Sequence, residues 1–97
     1  MSAKVFIIQT EYGYDVSPSP VVVPREKPVL YFENLSNVTA TVSIPGVLDK
    51  EPLTVERNGG KASVTLSDTP RVVLYKVKMG DVLSARGNSA PIIIRDS

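Results

Sequence analysis

Apolar and polar side chains alternate one by one along residues 38–44 of the chain. Val38, Ala40, Val42 and Ile44 are separated by threonines and a serine. Because successive side chains of a β-strand point to opposite faces, this order predicts a strand with one face in a core and the other in water. The preceding segment, Val29–Glu33, is mostly apolar, and polar turn residues lie between the two. We therefore predict that the two segments pair as a central hairpin, which ends at a Pro-Gly.

Shorter apolar runs between turn residues predict the other strands, at residues 4–10, 21–23, 53–56, 61–66, 71–77 and 91–95. In the first of these strands we expect Val5 and Ile7 to point inward, with Phe6 and Ile8 as further inward candidates. Asn58-Gly59 predicts a second hairpin between 53–56 and 61–66, because a type I′ turn needs positive φ at both central residues. The prolines around Val21–Val23 predict an edge strand, whereas 71–77 is expected to be central. Glu11–Pro20, which contains two prolines, predicts an irregular surface loop.

Together these elements predict an all-β protein made of one domain. The 97 residues would form seven or eight short strands, with turns about every 8–12 residues and no long helical period. This pattern is typical of a Greek-key antiparallel β-sandwich. A small closed barrel is the alternative.

The composition excludes several kinds of chemistry. The absence of cysteine and histidine rules out disulfides, a Cys nucleophile, a Ser-His-Asp triad and the common zinc and copper sites. Lys and Arg total 11 against 10 for Asp and Glu, so charge gives no case for nucleic acid or an anionic membrane. No apolar run approaches the ~20 residues of a membrane helix, and the N-terminus lacks the apolar region of a secretory signal. We expect a soluble, cytoplasmic protein without a cofactor or metal.

Four pieces of the chain follow one another as they do in a cupredoxin. They are an aromatic strand ending in Asn (residues 31–34), a strand ending at Pro-Gly (42–46), a Tyr-bearing strand (75–77), and a Gly-containing loop that leads to a β-branched final strand (87–95). Over roughly residues 28–95 the chain therefore resembles that family. The resemblance implies a cupredoxin-like sandwich, although an immunoglobulin-like sandwich would supply similar pieces.

The copper ligands that the resemblance implies are missing. The first histidine would follow Asn34, where this chain has Asn-Val-Thr at 37–39. The Cys, His and Met cluster would follow Tyr75, where Met79 is the only sulfur. Because a blue-copper site requires a thiolate and two imidazoles, the resemblance implies a fold without its copper site, and fold alone does not bring function.

Two loops are candidate binding surfaces. Tyr12 and Tyr14 flank Gly13 and could form an aromatic contact patch, because tyrosine offers a large contact area at a low entropic cost. The alternative is that one or both tyrosines fold back and cap an open end of the sandwich. Arg86 and Asn88 precede the last strand, where sandwich folds place binding loops, and could hold an anion. The alternative is a turn that only redirects the chain.

Two adjacent N-glycosylation patterns, at residues 34–36 and 37–39, lie in a predicted turn. The pattern is short and common, so we interpret these asparagines as turn residues rather than as modification sites. Close pairs of loop carboxylates offer too few oxygens for calcium, so we interpret them as solvated charges.

The sequence favours a non-catalytic module that binds itself or another protein, through its loops or an exposed sheet edge. The runs Val21–Val23 and Ile92–Ile94 motivate the edge version, because an apolar strand with free backbone groups is a template for pairing. If Ile93 lies at an interface, Ile93→Lys should stay folded and lose association; if it is covered on both faces, the variant should unfold. The alternatives are a degenerate cupredoxin-type protein with an unorthodox metal or ligand site, and a small enzyme that uses lysine or carboxylates.

Overall fold

The computed structural model describes residues 3–48, 51–66, 71–80, 83–86 and 89–95. All regular elements in these ranges are β-strands, which confirms the all-β prediction. The described residues form eleven strands rather than seven or eight: β1 (Ala3–Thr10), β2 (Gly13–Ser17), β3 (Val21–Val23), β4 (Val29–Asn34), β5 (Ala40–Ser43), β6 (Leu53–Val55), β7 (Gly60–Thr65), β8 (Val72–Leu74), β9 (Lys76–Met79), β10 (Leu83–Ser84) and β11 (Ile92–Arg95).

The strands form three sheets. The first sheet has the order β2-β1-β4-β7, the second β10-β9-β5-β6 and the third β3-β11-β8. Two pairings are parallel, β1 with β4 and β3 with β11, so the prediction of a purely antiparallel arrangement is wrong. Parallel neighbours need a crossover connection, and each of these pairs has one. The connection between β1 and β4 includes β3 of the third sheet, and the connection between β3 and β11 includes strands of the first two sheets.

One hydrophobic core receives side chains from all three sheets. Val5 and Ile7 of β1 are fully buried, as predicted. Phe6 between them lies on the outer face, so its inclusion among the inward candidates is wrong. The same alternation buries Leu30 and Phe32 of β4. The second sheet contributes Val42, Val55 and Val77, and the third contributes Val21, Val23, Val73 and Ile93.

The predicted central hairpin is not present, although both of its strands are. β4 lies between β1 and β7 in the first sheet, and β5 lies between β9 and β6 in the second. The segment between them crosses from one sheet to the other, and the buried side chain of Asn34 holds the crossing. Its amide nitrogen donates to the carbonyls of Val38 (2.8 Å) and Val55 (3.0 Å). Its oxygen accepts from the backbone nitrogen (3.0 Å) and the hydroxyl (2.7 Å) of Ser36.

The second predicted hairpin is also a crossing between sheets. Asn58 and Gly59 have φ values of 61° and 93°, so the expected positive φ at both positions is confirmed. Nevertheless β6 pairs with β5, and β7 pairs with β4. This turn is hydrogen-bonded to the segment that makes the first crossing. The backbone nitrogens of Asn58 and Gly59 donate to the carbonyls of Ser36 (2.9 Å) and Asn34 (2.7 Å). An Asn-Gly signal specifies the turn, and contacts far along the chain decide which strands pair.

The predicted irregular loop at residues 11–20 contains a strand. β2 pairs antiparallel with β1 and leaves Tyr12 at the tip of their hairpin. Gly13 closes this hairpin with a φ of 125°, a conformation that favours glycine. An edge strand needs partners on one side only, so β2 tolerates its polar sequence.

The third sheet corrects two further expectations. β3 is an edge strand, as predicted, but β11 lies between β3 and β8. The interpretation of Ile92–Ile94 as an exposed edge is therefore wrong, and Ile93 is fully buried. Residues 71–77 are not one central strand, because β8 forms an edge of the third sheet and β9 lies inside the second. Tyr75 stands between them with its side chain in the core.

Candidate functional site

The outer face of the third sheet is an exposed apolar surface. Ile94 pairs with Val22 on one side and with Val72 on the other, and Ile92 pairs with Leu74. Val22, Val72 and Leu74 are 57%, 54% and 57% exposed, and the two isoleucines are half-buried. We call these five side chains the apolar face. Contiguous exposed apolar patches of this kind mark interaction sites.

The alternation of side chains explains why this surface points outward. In β8 and β11 an internal residue fills the core, and in β3 the first and last residues do. The alternate positions of these strands must therefore face away from the core. The runs Val-Val-Val and Ile-Ile-Ile have no polar residue to show which positions are external. The segment 72–79 does carry such a signal, because its outward row reads Val, Leu, Lys, Lys and its inward row reads Val, Tyr, Val, Met. Sequence reasoning missed the apolar face because it treated 71–77 as one covered strand.

The outward row continues from Leu74 into two exposed lysines of β9, Lys76 and Lys78. We call these two residues the basic flank. In the part of the chain that the structure describes, neither lysine forms an ion pair. Their cross-strand neighbours on β5 are Ser43 and Thr41, which carry hydroxyls and no charge. The apolar face therefore borders a positively charged surface.

A groove of about 390 Å³ lies where the apolar face meets the basic flank. Its lining is largely apolar and includes Ile44, Pro45, Leu48, Leu74, Tyr75 and Lys76. Leu74 and Lys76 line the same groove. A partner's side chain that enters it therefore contacts the aliphatic side chain of Leu74 close to the ammonium group of Lys76.

The phenol of Tyr75 is buried beside this groove and is not suited to proton transfer at neutral pH. Burial raises the pKa of the Tyr75 hydroxyl above its ordinary value, and the positive charge of Arg86 offsets part of that rise. The hydroxyl has no hydrogen-bond partner among the described residues. Tyr75 therefore acts as a neutral packing residue.

The structure brings two of the sequence-predicted site residues together. The backbone nitrogen of Arg86 donates to the carbonyl of Tyr14 (2.9 Å), and the Arg86 guanidinium lies 3.4 Å from the Asp15 carboxylate. The guanidinium also donates to the carbonyl of Ser89 (3.3 Å). Arg86 thus connects the loop before β11 to the β1–β2 hairpin. The backbone of Arg86 itself has a φ of 66°.

The other two predicted residues lie apart from this contact or outside the described residues. Tyr12 is 92% exposed at the hairpin tip. Tyr14, by contrast, is half-buried and packs against the core, the position expected of a tyrosine that caps the domain. Asn88 lies outside the described residues.

Residues 37–39 and 79–80 lie side by side. They belong to the two segments where the resemblance to a cupredoxin would place copper ligands. The Gly80 nitrogen donates to the Thr39 carbonyl (3.0 Å), and Ala40 pairs with Met79. The side chains that meet there are apolar, with Met79 and Ala40 buried and Val38 half-buried. Within the described ranges, no group of three or more His, Cys, Asp or Glu side chains could hold a metal ion.

A second concavity, of about 520 Å³, lies on the outer face of the first sheet, where Lys4, Tyr31, Lys61 and Ser63 line it. Lys4 forms an ion pair of 2.6 Å with Glu33, and its ammonium lies 4.9 Å from the centre of the Phe6 ring. The hydrogen bond from Lys4 holds the pKa of Glu33 below its usual range. The Lys4 charge is therefore already engaged within the sheet.

The first N-glycosylation pattern is not available in the folded chain, because the Asn34 side chain is fully buried and hydrogen-bonded. The described residues contain no helix that is both long and apolar enough to span a membrane. Comparison with protein-family models, with curated proteins and with solved structures gave no match.

Proposed function

We propose that this protein is a non-catalytic module that acts through protein–protein contact at the apolar face. The observation that carries the proposal is the register of five aliphatic side chains on three neighbouring strands, three of them more than half exposed. Covering a half-exposed aliphatic side chain contributes on the order of 1 kcal/mol. The whole face then supplies a few kcal/mol, which is comparable with the lower estimates of the entropic cost of association. A stable complex therefore needs further contacts around the face.

The perturbed titratable groups favour binding over catalysis. The hydrogen bond from Lys4 lowers the pKa of Glu33, and burial raises the pKa of Tyr75. Glu33 is paired with Lys4, and Tyr75 is a buried phenol. Neither combines an open pocket with a pKa near neutrality, which is the usual mark of a general acid or base.

The experiment that tests this function compares two leucines that are both more than half exposed. Leu74→Asp places a charge on the apolar face, and Leu35→Asp is its matched control, because Leu35 is 51% exposed in the loop after β4. We expect both variants to fold. Light scattering over a concentration series then reports self-association, and a photo-crosslinking residue in place of either leucine reports contact with another protein in cells.

Association that Leu74→Asp abolishes and Leu35→Asp preserves supports the proposal. Crosslinks from position 74 that are absent from position 35 support it in the same way. A strict monomer that forms no crosslink from position 74 contradicts it. Ile93→Lys is not a useful interface variant, because its side chain is buried in the core and the substitution should unfold the domain.

We propose further that the architecture is a cupredoxin-like Greek-key sandwich without a copper site. The contact between residues 37–39 and 79–80 supports this assignment, since these are the segments that would carry the copper ligands. Copper titration tests the second part of this proposal, the absence of a copper site. We expect neither a visible absorption band nor a thermal shift, and either signal would instead favour a protein with unorthodox metal ligands.

A further inference from the structure

We propose that the occupant of the apolar face is a different protein, whose contact surface carries carboxylates beside an apolar anchor side chain. This inference rests on the proposed function and names the chemistry of its partner. It follows from the charge that borders the face, from the groove at that border, and from the way two identical copies would meet.

Among the described residues, the charged side chains that precede and continue the outward row are positive. Lys76 and Lys78 continue the outward row of the apolar face, and exposed Arg71 precedes it at the other end of β8. In the described part of the chain these three residues form no ion pair. A partner with carboxylates at the matching positions gains complementary contacts, whereas a basic partner is repelled.

The groove places the two kinds of contact next to each other. Interfaces draw much of their binding energy from a few side chains that fill pockets and exclude water. The groove beside Leu74 offers such a pocket of about 390 Å³, lined by Ile44, Leu48 and Tyr75. Lys76 also lines the groove. A partner that inserts an aromatic or aliphatic side chain therefore binds more tightly if a carboxylate lies next to that side chain.

A second copy of this chain is a poorer occupant. Two copies that meet face to face bring the lysines of both basic flanks to the same interface, and the outward positions of β3, β8, β9 and β11 supply no carboxylate to pair with them. Like charges brought together at an interface oppose association. Charge complementarity therefore favours an acidic partner over self-association.

The test uses a displayed library of random short peptides as the probe. Selection is carried out on the intact protein, on Leu74→Asp, and on the double variant Lys76→Glu/Lys78→Glu. Both lysines are exposed, so we expect the double variant to keep the thermal midpoint of the parent protein. The affinity of individual selected peptides is then measured by fluorescence anisotropy against all three proteins.

We expect the intact protein to select peptides that combine an apolar residue with neighbouring carboxylates. These peptides should bind the double variant about tenfold more weakly, since two attractive pairs become repulsive, and should not bind Leu74→Asp. The double variant should select basic peptides instead. Addition of salt should weaken binding of the acidic peptides to the intact protein.

Other outcomes separate this inference from the function on which it rests. Apolar peptides without a charge preference, bound equally by the double variant, overturn the acidic partner and leave the apolar face as a binding surface. Peptides that Leu74→Asp still binds overturn both proposals. A stable homo-oligomer that Leu74→Asp dissociates shows that the occupant is a second copy, which overturns the inference and retains the proposed function.

Discussion

The ring of Tyr75 meets the ring of Phe32 edge to face, with centroids 6.1 Å apart and planes inclined by 67°. Phe32 belongs to the first sheet, and Tyr75 joins the second sheet to the third, so this contact links all three. Aromatic pairs in this geometry contribute about 0.5–1.5 kcal/mol beyond their buried area. The Tyr75 hydroxyl adds no hydrogen bond to any described residue.

We predict that Tyr75→Phe stabilises the protein by about 1 kcal/mol, because it removes a buried polar group that has no partner and keeps the ring contact. Urea denaturation at neutral pH measures this change. Tyr75→Leu is the control, and it should lower stability by about 2 kcal/mol because the ring contact and part of the core packing are lost. Equal losses in both variants would show that the hydroxyl has a stabilising partner.

The same residue predicts a pH dependence at the alkaline end. Burial raises the pKa of Tyr75 in the folded state, so folding favours the neutral phenol. This contribution is complete below the unfolded-state pKa of about 10 and declines as the pH rises above it. We expect the denaturation midpoint of the parent protein to fall more steeply above that pH than the midpoint of Tyr75→Phe. Parallel curves for the two proteins would contradict the expectation.

Asn34→Leu should destabilise the protein by about 3 kcal/mol, because it leaves the carbonyls of Val38 and Val55 and the nitrogen of Ser36 without their present partner. The midpoint of chemical denaturation measures the loss. Asn37→Ala, in the same segment but exposed, should change stability by less than about 0.5 kcal/mol. If both variants match the parent protein, the crossing between sheets does not depend on the Asn34 side chain.

Gly60→Ala should cost about 1–3 kcal/mol, although alanine is a small residue. A Cβ atom at position 60 would collide with the backbone carbonyl of Glu56, so the turn between β6 and β7 must shift. Thermal denaturation measures the cost, and Lys61→Ala at the next, exposed position is the control. A fully stable Gly60→Ala protein would mean that this turn adapts without cost.

Lys4→Met should change how stability depends on pH in the acid range. The hydrogen bond from Lys4 lowers the pKa of Glu33, so the pair contributes stability above the unfolded-state pKa of about 4.3 and loses it as the pH falls through the lower folded-state value. We expect the variant to be less stable than the parent protein at neutral pH and to converge with it in acid. Denaturation midpoints across this range measure the effect. A difference that stays constant at every pH would mean that the ionisation of Glu33 is not its cause.

Local patterns predicted where strands lie better than they predicted how strands pair. The alternation at Ala40, Val42 and Ile44 correctly marks the buried face of β5, and Asn58-Gly59 correctly marks positive φ. Pairing depends on contacts that local patterns do not contain. Asn34, for example, holds the sheet crossing through the carbonyl of Val55, which lies 21 positions further along the chain.

The sequence also predicts some residues of the candidate site and not others. The outward row of Val72, Leu74, Lys76 and Lys78 can be read from the sequence once the strand is known to be open on one side. Val22, Ile92 and Ile94 cannot be assigned to a face from the sequence, because their neighbours are identical in character. Only the register of β11 with both β3 and β8 shows that all five side chains form one surface.

The position of β11 also affects how the protein is made. In the described structure β3 and β8 are held together by β11, which pairs residues 21–23 with 93–95. Such contacts between distant parts of a chain slow folding. During synthesis the third sheet has to wait until residues 92–95 have left the ribosome, and until then both β3 and β8 lack their neighbour. In that interval the nascent chain carries unpaired edges of β3 and β8, the kind of exposed edge that makes a folding chain prone to aggregation.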